Sequence, residues 1–312
     1  MKHETILFPT DFSDSASDAL ETATALARTL GARLHLLHAV VLETPFVVPT
    51  DGAVPVPTAD GLLDEGDRHS HLGLDKAASL IADPTVQVTT ESRRGEATVD
   101  AILESARECA ADLIVMSSHG RRGFRRFLLG SVTEELVRRA PCPVLVIRRD
   151  PGLRHPAKSS RILAAIDFSP ISEQVMSTAK SLASILGQEL DLIHVVHLPG
   201  TSTVPVEAAP FGPVATAPPE SVSYEERLTK GRELLEHTDS KTGAPGVEAR
   251  LFVRGGNPES EILGHAEEND IGLIVVGTQG HSGISRLLLG SVCERVLRSA
   301  PCAVYVVPRG DA

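Results

Sequence analysis

Gly277-Thr278-Gln279-Gly280 is followed after nine residues by Gly290-Ser291, and 160 positions earlier Ser117-Ser118-His119-Gly120 stands at the same spacing before Gly130-Ser131. Each copy follows an apolar run, 113–116 or 273–276, and precedes a helical pattern beginning at Val132 or Val292. The glycines are therefore expected on a loop between a buried strand and a helix, where a doubly wound sheet binds its ligands. Such a loop suits phosphate. Residues without a Cβ let backbone approach an anion, and the amides at a helix start point outward with partial positive charge. The plainer reading is that the glycines only turn the chain and that Ser131 and Ser291 are N-caps, since Ser131-x-x-Glu134 and Ser291-x-x-Glu294 each spell a capping box.

The repeat extends outward from these loops. Strands are expected at 5–8 and 162–166, each running into Asp-Phe-Ser, Asp11 to Ser13 and Asp167 to Ser169, at an offset of 156. Helical patterns follow and close at Gly31 and Gly187, suited to left-handed caps. Second strands, 34–41 and 190–196, carry His38 and His194 at equivalent places. Proline-rich stretches at 44–57 and 199–219 come next, then helices over 62–81 and 224–236. Third strands over 86–91 and 247–253 lead to matching Arg94-Gly95 and Arg254-Gly255. Helices over 97–109 and 258–268, fourth strands, the glycine loops, and last strands at 144–147 and 303–307 complete each half. Ala-Pro-Cys stops both last helices. Strands alternating with helices define an α/β fold of two tandem Rossmann-like domains, 1–149 and 161–312, joined by a linker at 150–160, each a five-stranded parallel sheet flanked by helices.

The 312 residues carry a net charge of -11, so no electrostatic footprint draws nucleic acid or an acidic membrane surface to the chain. Four cysteines, Cys109, Cys142, Cys293 and Cys302, lack Cys-x-x-Cys spacing and read as buried reduced thiols. The histidines, His69 and His71 included, have no Cys, Asp or Glu set at metal spacing, so no metal site is assigned. With no apolar leader after Met1 and no apolar stretch of membrane length, a cytoplasmic location is expected. Asp11 and Asp167 read from the residues alone as turn or capping residues.

A strand-one Asp, Gly-x-x-Gly, nine residues, Gly-Ser and a terminal apolar strand, all twice over, resemble a tandem universal stress protein. The resemblance implies adenine-nucleotide-binding domains of the alpha hydrolase-like type and a role in stress response. Carried onto this sequence, it places ATP, with or without Mg²⁺, on Gly277, Gln279, Gly280, Gly290, Ser291 and Val292, with Asp167 toward the ribose or adenine and backbone near Val195 and Val276 lining the base. The first-half matches are Asp11, Ala39, Met116, His119, Gly120, Gly130, Ser131 and Val132, with Ser117 in place of the leading glycine. Arg121, Arg122, Arg125 and Arg126 beside Gly120 read either as a solvated basic loop or as phosphate contacts. Ser117 is expected to cost the first loop backbone freedom, making the second site the tighter one.

No Gly-x-x-x-x-Gly-Lys-Ser/Thr and no lysine in either loop points to efficient phosphoryl transfer, so no catalytic residue is assigned. The alternative to a nucleotide-binding regulator is a non-catalytic interaction protein with degenerate sites. Exposed last strands invite pairing. The halves are accordingly expected to pack on each other or on a second chain through these strands, as a homodimer of four domains. The proline-rich stretches are expected as lids over the clefts.

Overall fold

A computed structural model describes residues 3–41, 59–118, 129–148, 161–197, 223–242, 246–280 and 289–309. The first half holds β1 (Thr5–Pro9), α1 (Asp14–Leu30), β2 (Arg33–Val41), α2 (Ala59–Ser79), β3 (Val88–Gly95), α3 (Thr98–Glu108), β4 (Leu113–Ser117), α4 (Ser131–Arg139) and β5 (Val144–Ile147). The second repeats the order as β6 (Arg161–Ala165), α5 (Ser172–Leu186), β7 (Glu189–His197), α6 (Tyr224–Lys241), β8 (Ala249–Gly256), α7 (Pro258–Glu268), β9 (Ile271–Gly277), α8 (Ser291–Ser299) and β10 (Ala303–Val307). The expected 150–160 linker, both proline-rich stretches, His119, Gly120 and the four loop arginines lie outside the described residues.

All strands join one sheet in the order β3-β2-β1-β4-β5-β10-β9-β6-β7-β8. Within each half every pairing is parallel, while β5 and β10 pair antiparallel, Val146 opposite Val304 and Leu145 opposite Tyr305. The open edges expected of the last strands thus cover each other inside one chain. Because the junction is antiparallel, the carboxyl ends of the two half-sheets face opposite directions, and so do any clefts built there.

Helices cover both faces. Alternation along each strand sends Ile6, Phe8, Leu34, Leu36, Val115 and Leu145 into one core with α1, α2, α5 and α6, and Leu7, Leu37, Ile114, Met116 and Val146 into another with α3, α4, α7 and α8. Full burial of each such side chain is worth about 1.5–3 kcal/mol, which fixes the register, since a one-residue slip would exchange the two cores. The caps expected at Gly31 and Gly187 form, with φ of 65° and 64°. At the seam α1 packs against α5, Arg298 pairs with Glu134 across the other face (3.5 Å), and the Arg148 guanidinium donates to the Leu297 carbonyl (3.0 Å).

Three expectations change. Ser131 and Ser291 are not N-caps: Gly130 and Gly290 hold those positions in extended backbone, with no side-chain cap bond, and each serine is the first helical residue. The capping box lies instead at Ser223 and Glu226, heading an α6 that runs to Lys241 rather than 236. The third strands continue through their arginines, and the Arg-Gly match is one position out of sheet register: Arg94 pairs across to Val40, but Arg254 to Val195. Arg94 accordingly turns to Asp67 on α2, whereas Arg254 turns to Glu268 and Glu261 on α7. Arg93, bound to Glu104 and Glu108 on α3, is the true counterpart of Arg254.

Candidate functional site

In each half the strand order reverses between the first and fourth strands, β1/β4 and β6/β9, and the crevice at such a reversal is the standing ligand position of an open parallel sheet. Asp167 follows β6 and the glycine loop follows β9, so the two flank one crevice. Asp167 Oδ1 accepts from the Ser169 amide (3.0 Å) and the Ser172 hydroxyl (2.8 Å), which aims the carboxylate. A Cβ built on Gly280 would overlap Asp167 Oδ2, so a larger residue there would have to displace the carboxylate from the position that Ser169 and Ser172 give it. The Gly290 amide donates to the Thr278 carbonyl (2.8 Å), folding the loop back so that α8 starts beside Gly280. A Cβ on Gly290 would come 3.3 Å from that carbonyl and 3.7 Å from the Gly280 nitrogen. The Thr278 amide bonds the Val307 carbonyl (3.0 Å), tying the loop to the end of β10.

The described part of the first cleft repeats this frame. Asp11 Oδ1 accepts from the Ser13 amide (3.1 Å) and hydroxyl (2.7 Å), the Ser118 amide bonds Ile147 (2.8 Å), and the Gly130 amide bonds Ser118 (3.2 Å). Ser131 and Ser291 are exposed at the helix starts, with Val132 and Val292 behind them. Val276 and Met116 are buried in the core, so they can offer a ligand backbone only, while Ala39 and Val195 are partly exposed. Gln279 and Gly280 are partly exposed at the crevice.

The Asp-Phe-Ser turn hides a feature that its sequence signals only by repetition. Phe12 and Phe168 both sit at φ 61°, left-handed backbone that costs a non-glycine residue about 1–2 kcal/mol. Each ring packs on the equivalent strand-two histidine, Phe12 on His38 and Phe168 on His194, with centroids 4.4 Å apart. Those imidazoles donate Nδ1–H to the carbonyls of Thr10 (2.7 Å) and Ile166 (2.8 Å). The histidines hold the turn that presents the aspartate.

Gly277 and Ser117 differ for a reason of volume. Neither Gly277, Gly280 nor Gly290 has positive φ, so the leading position does not use glycine's backbone freedom, and the expected cost of Ser117 on that ground falls away. A Cβ on Gly277 would instead meet Ile171 Cγ2 at 2.8 Å and Val175 Cγ2 at 3.4 Å. At the offset of 156 the first half has the smaller Ser15 and Ala19 in their places.

The thiols are all free, and three are buried, with Cys109 half-buried. Burial pushes the Cys142 thiol up to about 12 and also raises Cys109 and Cys293. No helix among the described residues is long and apolar enough to cross a membrane.

A family model described as the universal stress protein family matches residues 2–148 and again 158–308. A universal stress protein of Mycolicibacterium smegmatis is 28% identical over 309 residues, covering 97% of this chain and 96% of that protein. Universal stress protein YxiE of Bacillus subtilis is 34% identical over 151 residues, 47% of this chain and 98% of its own length. The crystal structure of a universal stress protein from Archaeoglobus fulgidus superposes with a TM-score of 0.72 over 99% of this chain and 100% of that one, at 23% identity, which speaks to fold. The chain belongs to the universal stress protein family, with two family domains in tandem.

Proposed function

We propose that the protein is a regulatory adenine-nucleotide-binding protein of the stress response, taking ATP in each of two clefts. The observation that carries this reading is the close approach of Gly280 to the anchored Asp167 carboxylate at the start of α8, inside the strand-order reversal. Asp167 and Asp11 would accept from ribose or adenine donors. The amides of Gly280 and Ser291, and of Gly120 and Ser131, would meet phosphate, a role suited to helix starts that no side chain caps, while Gly290 and Gly130, whose own amides fold the loop back, would let the backbone come close. Units 1–149 and 161–312 would each hold one cleft. Mass spectrometry of ligand released from gently purified protein tests the reading: an adenine nucleotide supports it, and an empty protein with no thermal response to added ATP overturns it in favour of an interaction protein with relic sites.

A homodimer is also proposed, although β5 and β10 already pair within the chain and a second copy would have to use other surfaces. Light scattering should give twice the 33.1 kDa chain mass; a monomer at all workable concentrations removes the dimer.

A further inference from the structure

The residues after β10 return to the second glycine loop. The Arg309 amide donates to Thr278 Oγ1 (3.2 Å), and its guanidinium Nη1 donates to Gln279 Oε1 (3.3 Å). Thr278 is itself nearly buried and bonded to Val307, so this strap fixes where the Arg309 main chain runs. The side chain reaches the residue next to Gly280, whose own position against Asp167 marks the crevice.

Charge makes the placement informative. In the same half Arg250, Arg254, Arg295 and Arg298 each pair with a carboxylate, at Asp191, Glu268, Glu259 and Glu294. Arg309 has no carboxylate within ion-pair distance among the described residues; its partner there is a neutral amide, in a chain of net charge -11. A neutral acceptor orients a guanidinium without neutralising it. The repeat carries the same residue type at the same place: Ile147-Arg148-Arg149 aligns with Val307-Pro308-Arg309, although Arg149 lies outside the described residues.

We infer that Arg309 is a phosphate-binding side chain of the second cleft and sets its preference for nucleotides carrying a phosphate chain. This rests on the nucleotide reading above and adds to it a residue and a ligand preference. An arginine fork contributes directional, charge-assisted bonds to phosphate oxygens, and adenosine offers it nothing.

Calorimetry on the full chain carrying Gly120→Val, the sequence counterpart of Gly280→Val and chosen to block the first cleft, isolates the second. Adenosine and ATP are titrated into this background, then into Arg309→Gln and Arg309→Lys made on it, with thermal melting to show that each variant is folded. The expected result is a loss of roughly 10- to 100-fold in ATP affinity for Arg309→Gln, a smaller loss for Arg309→Lys, and unchanged adenosine affinity. Equal losses for adenosine and ATP would make Arg309 a structural strap, and unchanged ATP affinity would remove it from the site; either overturns the inference while the nucleotide reading stands. If the Gly120→Val background and the unmodified chain both bind neither ligand, the nucleotide reading fails and the inference with it.

Discussion

Between its outer strands and inner helix, the first half sets His35 on β2 against Glu91 on β3 (2.8 Å), with Ser105 of α3 donating to the same carboxylate (2.6 Å). At the same place in the second half the carboxylate is on the inner of the two strands, as Asp191 on β7, and the imidazole has moved to the helix, as His265 on α7 (2.8 Å). The Arg250 fork binds both Asp191 oxygens, Nε and Nη2 at 2.8 Å each, and Phe252 stands where the first half has Glu91. Acid, base and helix partner are permuted, yet in both halves the carboxylate is answered. The difference teaches how to read Ser117 against Gly277. Duplicated positions have diverged in company with their neighbours: where the second half sets Ile171 and Val175 against Gly277, the first half carries the smaller Ser15 and Ala19 with Ser117.

The comparison breaks most visibly at the buried acid. Asp191 and His265 are both fully buried, whereas the Glu91 side chain is 23% exposed. Asp191→Ala should cost about 3–5 kcal/mol in urea unfolding, because Arg250 and His265 lose their acceptor, and Glu91→Gln about 1 kcal/mol. Equal costs would show that the two networks are not built on different degrees of burial.

The volume argument gives the next effect. Gly277→Ser should destabilise by about 1–3 kcal/mol through overpacking against Ile171, and the same substitution should cost clearly less when made in an Ile171→Ala background. Ser117→Gly should cost about 1 kcal/mol or less. Additive, uncoupled effects of Gly277→Ser and Ile171→Ala would refute the compensation.

A smaller effect is expected from pH. Burial raises the Glu91 carboxyl, but bonds from Ser105, His35 and Arg93 together outweigh it and hold it below the usual value of 4.5. A carboxyl lowered on folding stabilises above its unfolded value, and that contribution is lost as pH falls through the folded value. Glu91→Gln should therefore flatten the stability profile below about pH 4.5; an unchanged acid limb in the variant would show that Glu91 does not contribute.

Much of this was legible because the chain states its plan twice. Apolar runs gave the inner strands, Gly31 and Gly187 gave their caps, and the repeated Asp-Phe-Ser turns and the described starts of the glycine loops fall where the strand order reverses. The seam was narrowed only to pairing within or between chains, since an edge strand advertises unpaired backbone without naming its partner. The capping box at Ser131 and Ser291 misled because a glycine one residue earlier could serve as N-cap, and local sequence does not decide between them. The Arg-Gly match failed for want of sheet register, which cross-strand neighbours set. Phe12 in left-handed backbone, Thr278 bonded to Val307, and the strap from Arg309 depend on contacts between distant segments, so no local pattern announced them.

The central claim is that both halves keep a working cleft despite their different residues. Isothermal titration of ATP into the full chain, beside the Gly280→Val variant, tests it most directly, since a side chain there must collide with Asp167. The account predicts two nucleotides per chain, falling to one in the variant with the remaining affinity unchanged. One nucleotide per chain before substitution, or two after it, would contradict the account.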